Sequence, residues 1–162
     1  MQVKNVAVLG AGTMGNGITQ VFAQSGFPVT MIDVEDKFVQ KGIATISGSL
    51  DRLIKKEVIT AEQKAAILGR ITPTTEMGKV KGCDLVVEAI FEDLGAKKEL
   101  WKKVNGFVAK DAILATNTSS ISVTLLASAV TDPARYIGMH FMNPVPVMKL
   151  VEVIRGLETN DE

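Results

Sequence analysis

The chain has 162 residues, with 18 basic and 18 acidic side chains and a formal net charge of zero. This balance excludes the strong electrostatic field of a protein that binds nucleic acid or an anionic membrane. No apolar run reaches the length of a membrane span, and the single cysteine, Cys83, cannot form an internal disulfide. The composition therefore predicts one domain, residues 1–162, in the cytoplasm.

Strands and helices alternate from the start of the chain. The apolar run Val3 to Leu9 predicts a strand, and the segment after GAGTMGNG has helical spacing, with Gly26 placed to close that helix. PVTMID predicts the next strand. Two helices follow, over 35–56 and 61–68, and together they predict a helical hairpin that projects from the sheet. The apolar face of the longer helix is expected to consist of Phe38, Ile43, Ile46, Leu50 and Leu53.

The second half of the chain continues the alternation. The segments DLVVEA, AILAT, YIGMHF and LVEVI predict strands, and a helix over 96–108 is expected to turn Trp101 and Val104 inward. A short helix is predicted over 123–128. Strands that alternate with helices indicate an α/β fold with a doubly wound, mostly parallel sheet and right-handed crossovers.

The glycines of GAGTMG match the G-x-G-x-x-G pattern between a strand and a helix. Gly10 allows a tight turn, Gly12 lets a pyrophosphate approach the backbone, and Gly15 lets helix and strand pack closely. A purely structural glycine turn is the alternative. In this context the pattern favours a Rossmann-type dinucleotide site, which the turn is expected to line with Gly10, Ala11, Gly12, Thr13, Met14 and Gly15.

The end of the second predicted strand carries an aspartate, Asp33, 18 residues beyond Gly15. Its carboxylate can accept hydrogen bonds from a ribose diol and would repel a 2′-phosphate. No arginine lies nearby, and Lys37 is a weak substitute. The sequence therefore predicts NAD as the cofactor, with NADP as the alternative.

The only histidine, His140, lies near the end of the strand YIGMHF, where ligands of open α/β sheets bind. Glu152 alternates with Leu150 and Ile154, so a buried face there would leave its carboxylate in need of a partner. The imidazole is the natural one, because a carboxylate fixes its tautomer and stabilises its cation. The alternatives are an ordinary packed histidine and a surface carboxylate.

A polar cluster, Asn117-Thr118-Ser119-Ser120, follows the strand AILAT. It can cap the next helix, and one of its serines can face a cleft as well. No G-x-S-x-G elbow surrounds these serines, which argues against a serine hydrolase. Cys83 has no neighbouring cysteine or histidine, so no metal site is predicted.

Four segments carry a resemblance to a known family: GAGTMGNGI, VVEAIFEDLGAKKELW, NTSSIS and GMHFMNPVPVMKLVEVIRG. Together they resemble the NAD-binding domain of 3-hydroxyacyl-CoA dehydrogenases, most of all bacterial 3-hydroxybutyryl-CoA dehydrogenases. The likeness runs from about Val3 to Gly156. It implies that His140 is the general base and that a buried Glu152 orients it.

The resemblance also implies roles for other side chains. Ser119 would contact the substrate oxygen. Ser49 and Lys56, on the long helix, would contact coenzyme A, although Lys55 can serve instead of Lys56 and a solvated helix face is the alternative. The residues implied around the cofactor are Asp33, Glu92, Lys97, Asn117 and Asn143.

The implied reaction is reversible oxidation of an (S)-3-hydroxyacyl-CoA to the 3-ketoacyl-CoA, as in β-oxidation and butanoate metabolism. Two alternatives are a non-catalytic NAD-binding module and a 3-hydroxyacid dehydrogenase, a class that generally relies on a lysine base. Family members carry a second, helical domain that closes the cleft and forms the dimer. The chain stops at LETNDE, so the expectation is an NAD-binding domain that is poorly active alone and belongs to a homo-oligomer when complete.

Overall fold

A single seven-stranded sheet organises the structure, a computed structural model that describes residues 2–161. The strand order is β3-β2-β1-β4-β5-β6-β7, and every neighbouring pair is parallel except β6 and β7. The predicted doubly wound, mostly parallel α/β fold is confirmed. The strands are β1 Val6–Leu9, β2 Val29–Ile32, β3 Ile71–Thr74, β4 Leu85–Glu88, β5 Ile113–Thr116, β6 Tyr136–Phe141 and β7 Val151–Arg155.

Helices cover both faces of the sheet, which explains why all four residues of β1, a central strand, are apolar and buried. In β1, Val6 and Val8 belong to one core, whereas Ala7 and Leu9 belong to the core on the opposite face. The helices are α1 Thr13–Gln24, α2 Asp36–Lys55, α3 Ala61–Gly69, α4 Leu94–Val104 and α5 Val123–Ala127, with 3-10 turns at Met77–Val80 and Pro133–Arg135. None of these helices of the described chain is long and apolar enough to cross a membrane.

The two helices of the predicted hairpin, α2 and α3, contact each other and also contact α1 and β3. Ile46 and Leu50 are fully buried on the inner face of α2. The hairpin therefore packs along this face more closely than a freely projecting pair would. The prediction for Phe38 is wrong: its side chain is 40% exposed, and Val39 takes the buried position at the start of α2.

Several element boundaries differ from the sequence prediction. Strand β1 begins at Val6, and α4 runs from Leu94 to Val104 because the Asp93 carboxylate caps its first turn by accepting the Ala96 N–H at 2.7 Å. The sequence did not predict β3, whose segment ITPT contains Pro73. Proline is tolerated there because β3 is an edge strand of the sheet.

Candidate active site

The glycine turn between β1 and α1 has the geometry that a phosphate group requires. Gly10 has a φ of +104°, and a Cβ there would lie 2.7 Å from the carbonyl oxygen of Ala89. A Cβ on Gly15 would lie 1.9 Å from the carbonyl oxygen of Gly10, so helix and turn are packed as predicted. A Cβ on Gly12 would meet nothing within 4 Å, which leaves an open approach to the backbone. No side chain caps α1, so its first N–H groups are available to an anion.

Asp33 follows β2 directly and is fixed beside this turn. Its two carboxylate oxygens accept the N–H groups of Ala11 and Val34, each at 2.7 Å. The ammonium of Lys37 is engaged elsewhere, since it lies 2.7 Å from the Glu35 carboxylate and 4.8 Å from the centre of the Phe38 ring. Lys37 therefore does not neutralise the Asp33 carboxylate beside the turn.

Asp33 lines a cleft of about 830 Å³ between α2 and α4. Phe38 and Lys41 contribute to the α2 wall, and Leu100 and Lys103 contribute to the α4 wall. Apolar walls with a few polar groups suit a flat heterocycle joined to a ribose. The floor of this cleft is formed by the glycine turn with Gly10, Ala11, Gly12 and Thr13.

A second cleft, of about 500 Å³, adjoins the first along Gly12 and Thr13. It lies beyond the carboxyl ends of the central strands, at the place where this fold class binds its ligands. The structure thus brings together residues that four separate segments of the sequence predict. Those that line the second cleft are Met14, Glu92, Asn117, Ser119, His140 and Asn143.

His140 and Glu152 form a cross-strand pair. They lie directly opposite each other in the antiparallel register of β6 and β7, and His140 Nδ1 is 2.8 Å from Glu152 Oε2. The predicted pairing of the imidazole with this carboxylate is present. The imidazole is 21% exposed, which leaves it accessible from the cleft.

The prediction that Glu152 is buried is wrong, because its side chain is 51% exposed. β7 is the edge strand of the sheet, and most of its side chains are open to solvent. The surface around β7 is unusually apolar, and its exposed members are Val147, Met148, Leu150, Val153, Ile154 and Leu157.

Glu92 organises the loop that follows β5. Its Oε1 accepts hydrogen bonds from the Thr118 hydroxyl and, at 2.8 Å, from the N–H of Ser119. Partial burial raises the pKa of Glu92. The hydrogen bonds and the charge of Lys97 lower it by more than burial raises it, so the resulting pKa is about 2. The carboxylate is therefore ionised at neutral pH.

Lys97 lies behind this wall. Its side chain is 1% exposed and does not line either cleft, and its ammonium contacts the carboxylates of Glu88 at 2.6 Å and Glu92 at 3.2 Å. Sequence reasoning placed Lys97 at the cofactor and missed Glu88, which is fully buried. The available signal was a glutamate at the end of the apolar strand LVVE. A buried carboxylate requires a partner, and Lys97 provides it.

Of the remaining predicted residues, Asn117 lies at the strand ends, whereas Ser49 and Lys56 lie on α2. The Asn117 side chain joins the ends of two strands, because its Oδ1 accepts the Phe141 N–H at 2.8 Å. Ser49 is half-buried on α2 and Lys56 is exposed at its end, and neither lines a cleft. The cap of α5 is Ser122, outside the predicted polar cluster, which leaves Ser119 free to line the cleft.

An uncapped glycine turn, a carboxylate after β2 and a cleft at the ends of parallel strands define a dinucleotide-binding domain. The sequence model of the family "3-hydroxyacyl-CoA dehydrogenase, NAD binding domain" matches residues 5–162. The chain belongs to this family, and NAD is its cofactor. The resemblance found in the sequence is confirmed.

Individual relatives agree with the family. A probable 3-hydroxybutyryl-CoA dehydrogenase from Deinococcus radiodurans is 51% identical over 155 residues, which are 96% of this chain and 55% of the relative. The crystal structure of (S)-3-hydroxybutyryl-CoA dehydrogenase from Ralstonia eutropha is 51% identical, with a TM-score of 0.97 over 99% of this chain and 56% of that one. A fatty acid oxidation complex subunit alpha from Colwellia psychrerythraea is 44% identical, and the match covers 22% of it. The chain spans about half the length of the 3-hydroxybutyryl-CoA dehydrogenases that it matches.

Proposed function

We propose that this chain forms the NAD-binding part of an enzyme that reversibly oxidises an (S)-3-hydroxyacyl-CoA to the 3-ketoacyl-CoA. The observation that carries the proposal is the pair of His140 and Glu152, 2.8 Å apart, at a cleft continuous with the dinucleotide site. The names of the relatives favour 3-hydroxybutyryl-CoA as the substrate.

The residues present fit NAD. The open approach at Gly12 and the uncapped N-terminus of α1 suit the pyrophosphate, and Asp33 suits the adenosine ribose. Asn117 and Asn143 offer amide groups in the second cleft, where the nicotinamide would lie. When bound there, NAD supplies the acceptor for the hydride that leaves the substrate C3.

His140 is the proposed general base. Because its Nδ1 faces the Glu152 carboxylate, Nε2 is the ring nitrogen left to accept the proton of the substrate hydroxyl. The Glu152 carboxylate holds the ring in this tautomer and stabilises the imidazolium that results. The hydroxyl of Ser119, which lines the same cleft, is proposed to donate a hydrogen bond to the substrate oxygen.

The proposed coenzyme A contacts, Ser49 and Lys56, lie on α2 outside both clefts. This placement suits a long substrate whose reactive end alone enters the cleft. The exposed lysine can act as a point charge for a phosphate of coenzyme A. Lys55, also exposed, remains the alternative.

The proposed setting is a longer, cytoplasmic homo-oligomer in which residues 1–162 form one domain. Relatives of about twice this length and the exposed apolar side chains around β7 support this setting. A covering helical domain over β7 would also desolvate the pair of His140 and Glu152, which strengthens its electrostatic coupling.

Two alternative functions are supported to different degrees. The exposure of Glu152 would suit a non-catalytic NAD-binding module, since an open site excludes little water. A hydroxyacid dehydrogenase with a lysine base is not favoured, because no lysine of the described residues lines the second cleft.

The test is the variant His140→Gln in the full-length protein. NADH oxidation with acetoacetyl-CoA should fall by about 10²–10⁴-fold, the usual contribution of a general base, while NADH binding stays nearly unchanged. Glu152→Gln should act in the same direction. Glu158→Gln, an exposed carboxylate beyond β7, is the matched control and should leave the rate unchanged. Retained activity in His140→Gln would refute the assignment.

A further inference from the structure

The charges behind the second cleft do not balance. Lys97 contributes one positive charge and lies within 3.2 Å of two carboxylates, those of Glu88 and Glu92. The hydroxyl of Thr116 and the N–H of Ile90 donate to Glu88, but both donors are neutral. The cluster of Glu88, Lys97 and Glu92 therefore carries a net charge of −1.

Only one member of this cluster reaches the cleft. Glu88 is fully buried and Lys97 is 1% exposed, whereas the Glu92 side chain is 36% exposed and lines the second cleft together with His140. The hydrogen bonds from Thr118 and Ser119 hold Glu92 in place and keep its pKa low, at about 2. The excess negative charge is thus fixed at the wall of the cleft.

The two forms of the cofactor differ in charge at the nicotinamide. The ring of NAD⁺ is a cation, and the ring of NADH is neutral. We propose that the uncompensated charge of Glu92 makes this site discriminate between the two forms, so that it favours NAD⁺ over NADH relative to a site without that charge. This inference rests on the proposed position of the nicotinamide in the second cleft. It assigns Glu92 a role in setting the balance between oxidised and reduced cofactor on the protein.

The size of the effect follows from the position of Glu92. A carboxylate near the ring attracts its cation, but a side chain that is partly exposed is screened by water. We therefore expect a change of roughly five-fold in the ratio of the two dissociation constants when the charge is removed.

The test is Glu92→Gln in this chain. Glutamine keeps a side-chain oxygen that can accept the hydrogen bonds of Thr118 and Ser119, but it removes the charge. NADH binding is measured by fluorescence titration and NAD⁺ binding by competition. The ratio Kd(NAD⁺)/Kd(NADH) should rise about five-fold, and Glu92→Ala should shift it in the same direction.

Two controls separate charge at the nicotinamide from other effects. Glu99→Gln removes an exposed carboxylate from the wall of the first cleft and should leave the ratio unchanged. The double variant Glu88→Gln/Lys97→Met removes one charge of each sign, so the ratio should also hold even if both nucleotides bind more weakly.

An unchanged ratio in Glu92→Gln, with both nucleotides still bound, would overturn the inference and leave the proposed oxidation of hydroxyacyl-CoA intact. An equal shift in Glu99→Gln would also overturn it, because the effect would then reflect net charge alone. Loss of turnover in His140→Gln tests the proposed function independently of either result.

Discussion

Breaking the buried ion pair of Lys97 and Glu88 is expected to destabilise the folded chain strongly. The variant Lys97→Met keeps most of the side-chain volume but leaves a fully buried carboxylate without its cation. Removing one partner of a buried pair costs about 3–5 kcal/mol. Because Glu88 keeps hydrogen bonds from Ile90 N–H and the Thr116 hydroxyl, we expect about 3 kcal/mol, the lower end of this range.

Urea unfolding followed by circular dichroism and by the single tryptophan, Trp101, measures this loss. A change of about 3 kcal/mol lowers the midpoint by about 1–2 M for a protein of this size. Lys102→Met is the matched control, because Lys102 lies on the same helix in an exposed pair with Glu99 and should contribute less than about 0.5 kcal/mol.

The double variant Glu88→Gln/Lys97→Met should recover most of the stability lost in Lys97→Met, since it leaves no unpaired buried charge. A loss below about 1 kcal/mol in Lys97→Met would refute the reasoning, because it would mean that Glu88 is solvated or otherwise compensated. A double variant that is no more stable than Lys97→Met would show that packing, and not charge, sets the cost.

Three further predictions concern the cofactor, the substrate and pH. NADH should bind more tightly than NADPH in fluorescence titration because Asp33 repels a 2′-phosphate, and equal affinities would contradict the ribose assignment. Lys56→Ala in the full-length protein should raise the apparent KM for acyl-CoA with little change for NADH, whereas the same effect from Lys55→Ala alone would assign the contact to Lys55. The low pKa of Glu92, about 2 against an ordinary 4.5, stabilises the folded state above about pH 4.5, and this contribution is lost as the pH falls toward 2. Glu92→Gln should therefore lose less thermal stability than the native chain between pH 6 and pH 3, and equal losses would show that other groups control acid unfolding.

The order of strands and helices could be predicted because the apolar pattern of each segment is local. β3 was not predicted because Pro73 and two threonines give the segment ITPT little apolar character. It forms a strand through its position at the edge of the sheet, where proline is tolerated. The error at Phe38 has a related cause. Helical spacing allows either Phe38 or its neighbour Val39 to face inward, and packing against the sheet decides for the smaller side chain.

The candidate site could be predicted where a local pattern has few alternative explanations. The glycine pattern G-x-G-x-x-G and the single histidine of this chain are such signals. The burial of a side chain could not be predicted in the same way, because it depends on which other elements cover its strand or helix. Glu152 alternates with apolar residues, as a buried residue would, but its strand lies at the edge of the sheet. The partnership of Lys97 with Glu88 likewise joins a helix to a strand and has no local signature.

The antiparallel direction of β7 explains how the Glu152 carboxylate comes to lie beside the His140 imidazole. Ligands bind where the parallel strands end, and His140 is the second-to-last residue of β6. Because β7 runs in the opposite direction, its first residues lie beside the last residues of β6, with Val151 opposite Phe141 and Glu152 opposite His140. A parallel β7 would instead place its carboxyl end there, and only after a crossover connection of a dozen or more residues. The nine residues between Phe141 and Val151 contain a turn in which the Pro144 carbonyl accepts the Val147 N–H at 3.0 Å. They bring the carboxylate back to the imidazole while Asn143 remains at the cleft. The reversal of the last strand thus places an imidazole, its carboxylate partner and an amide group together at the carboxyl end of β6.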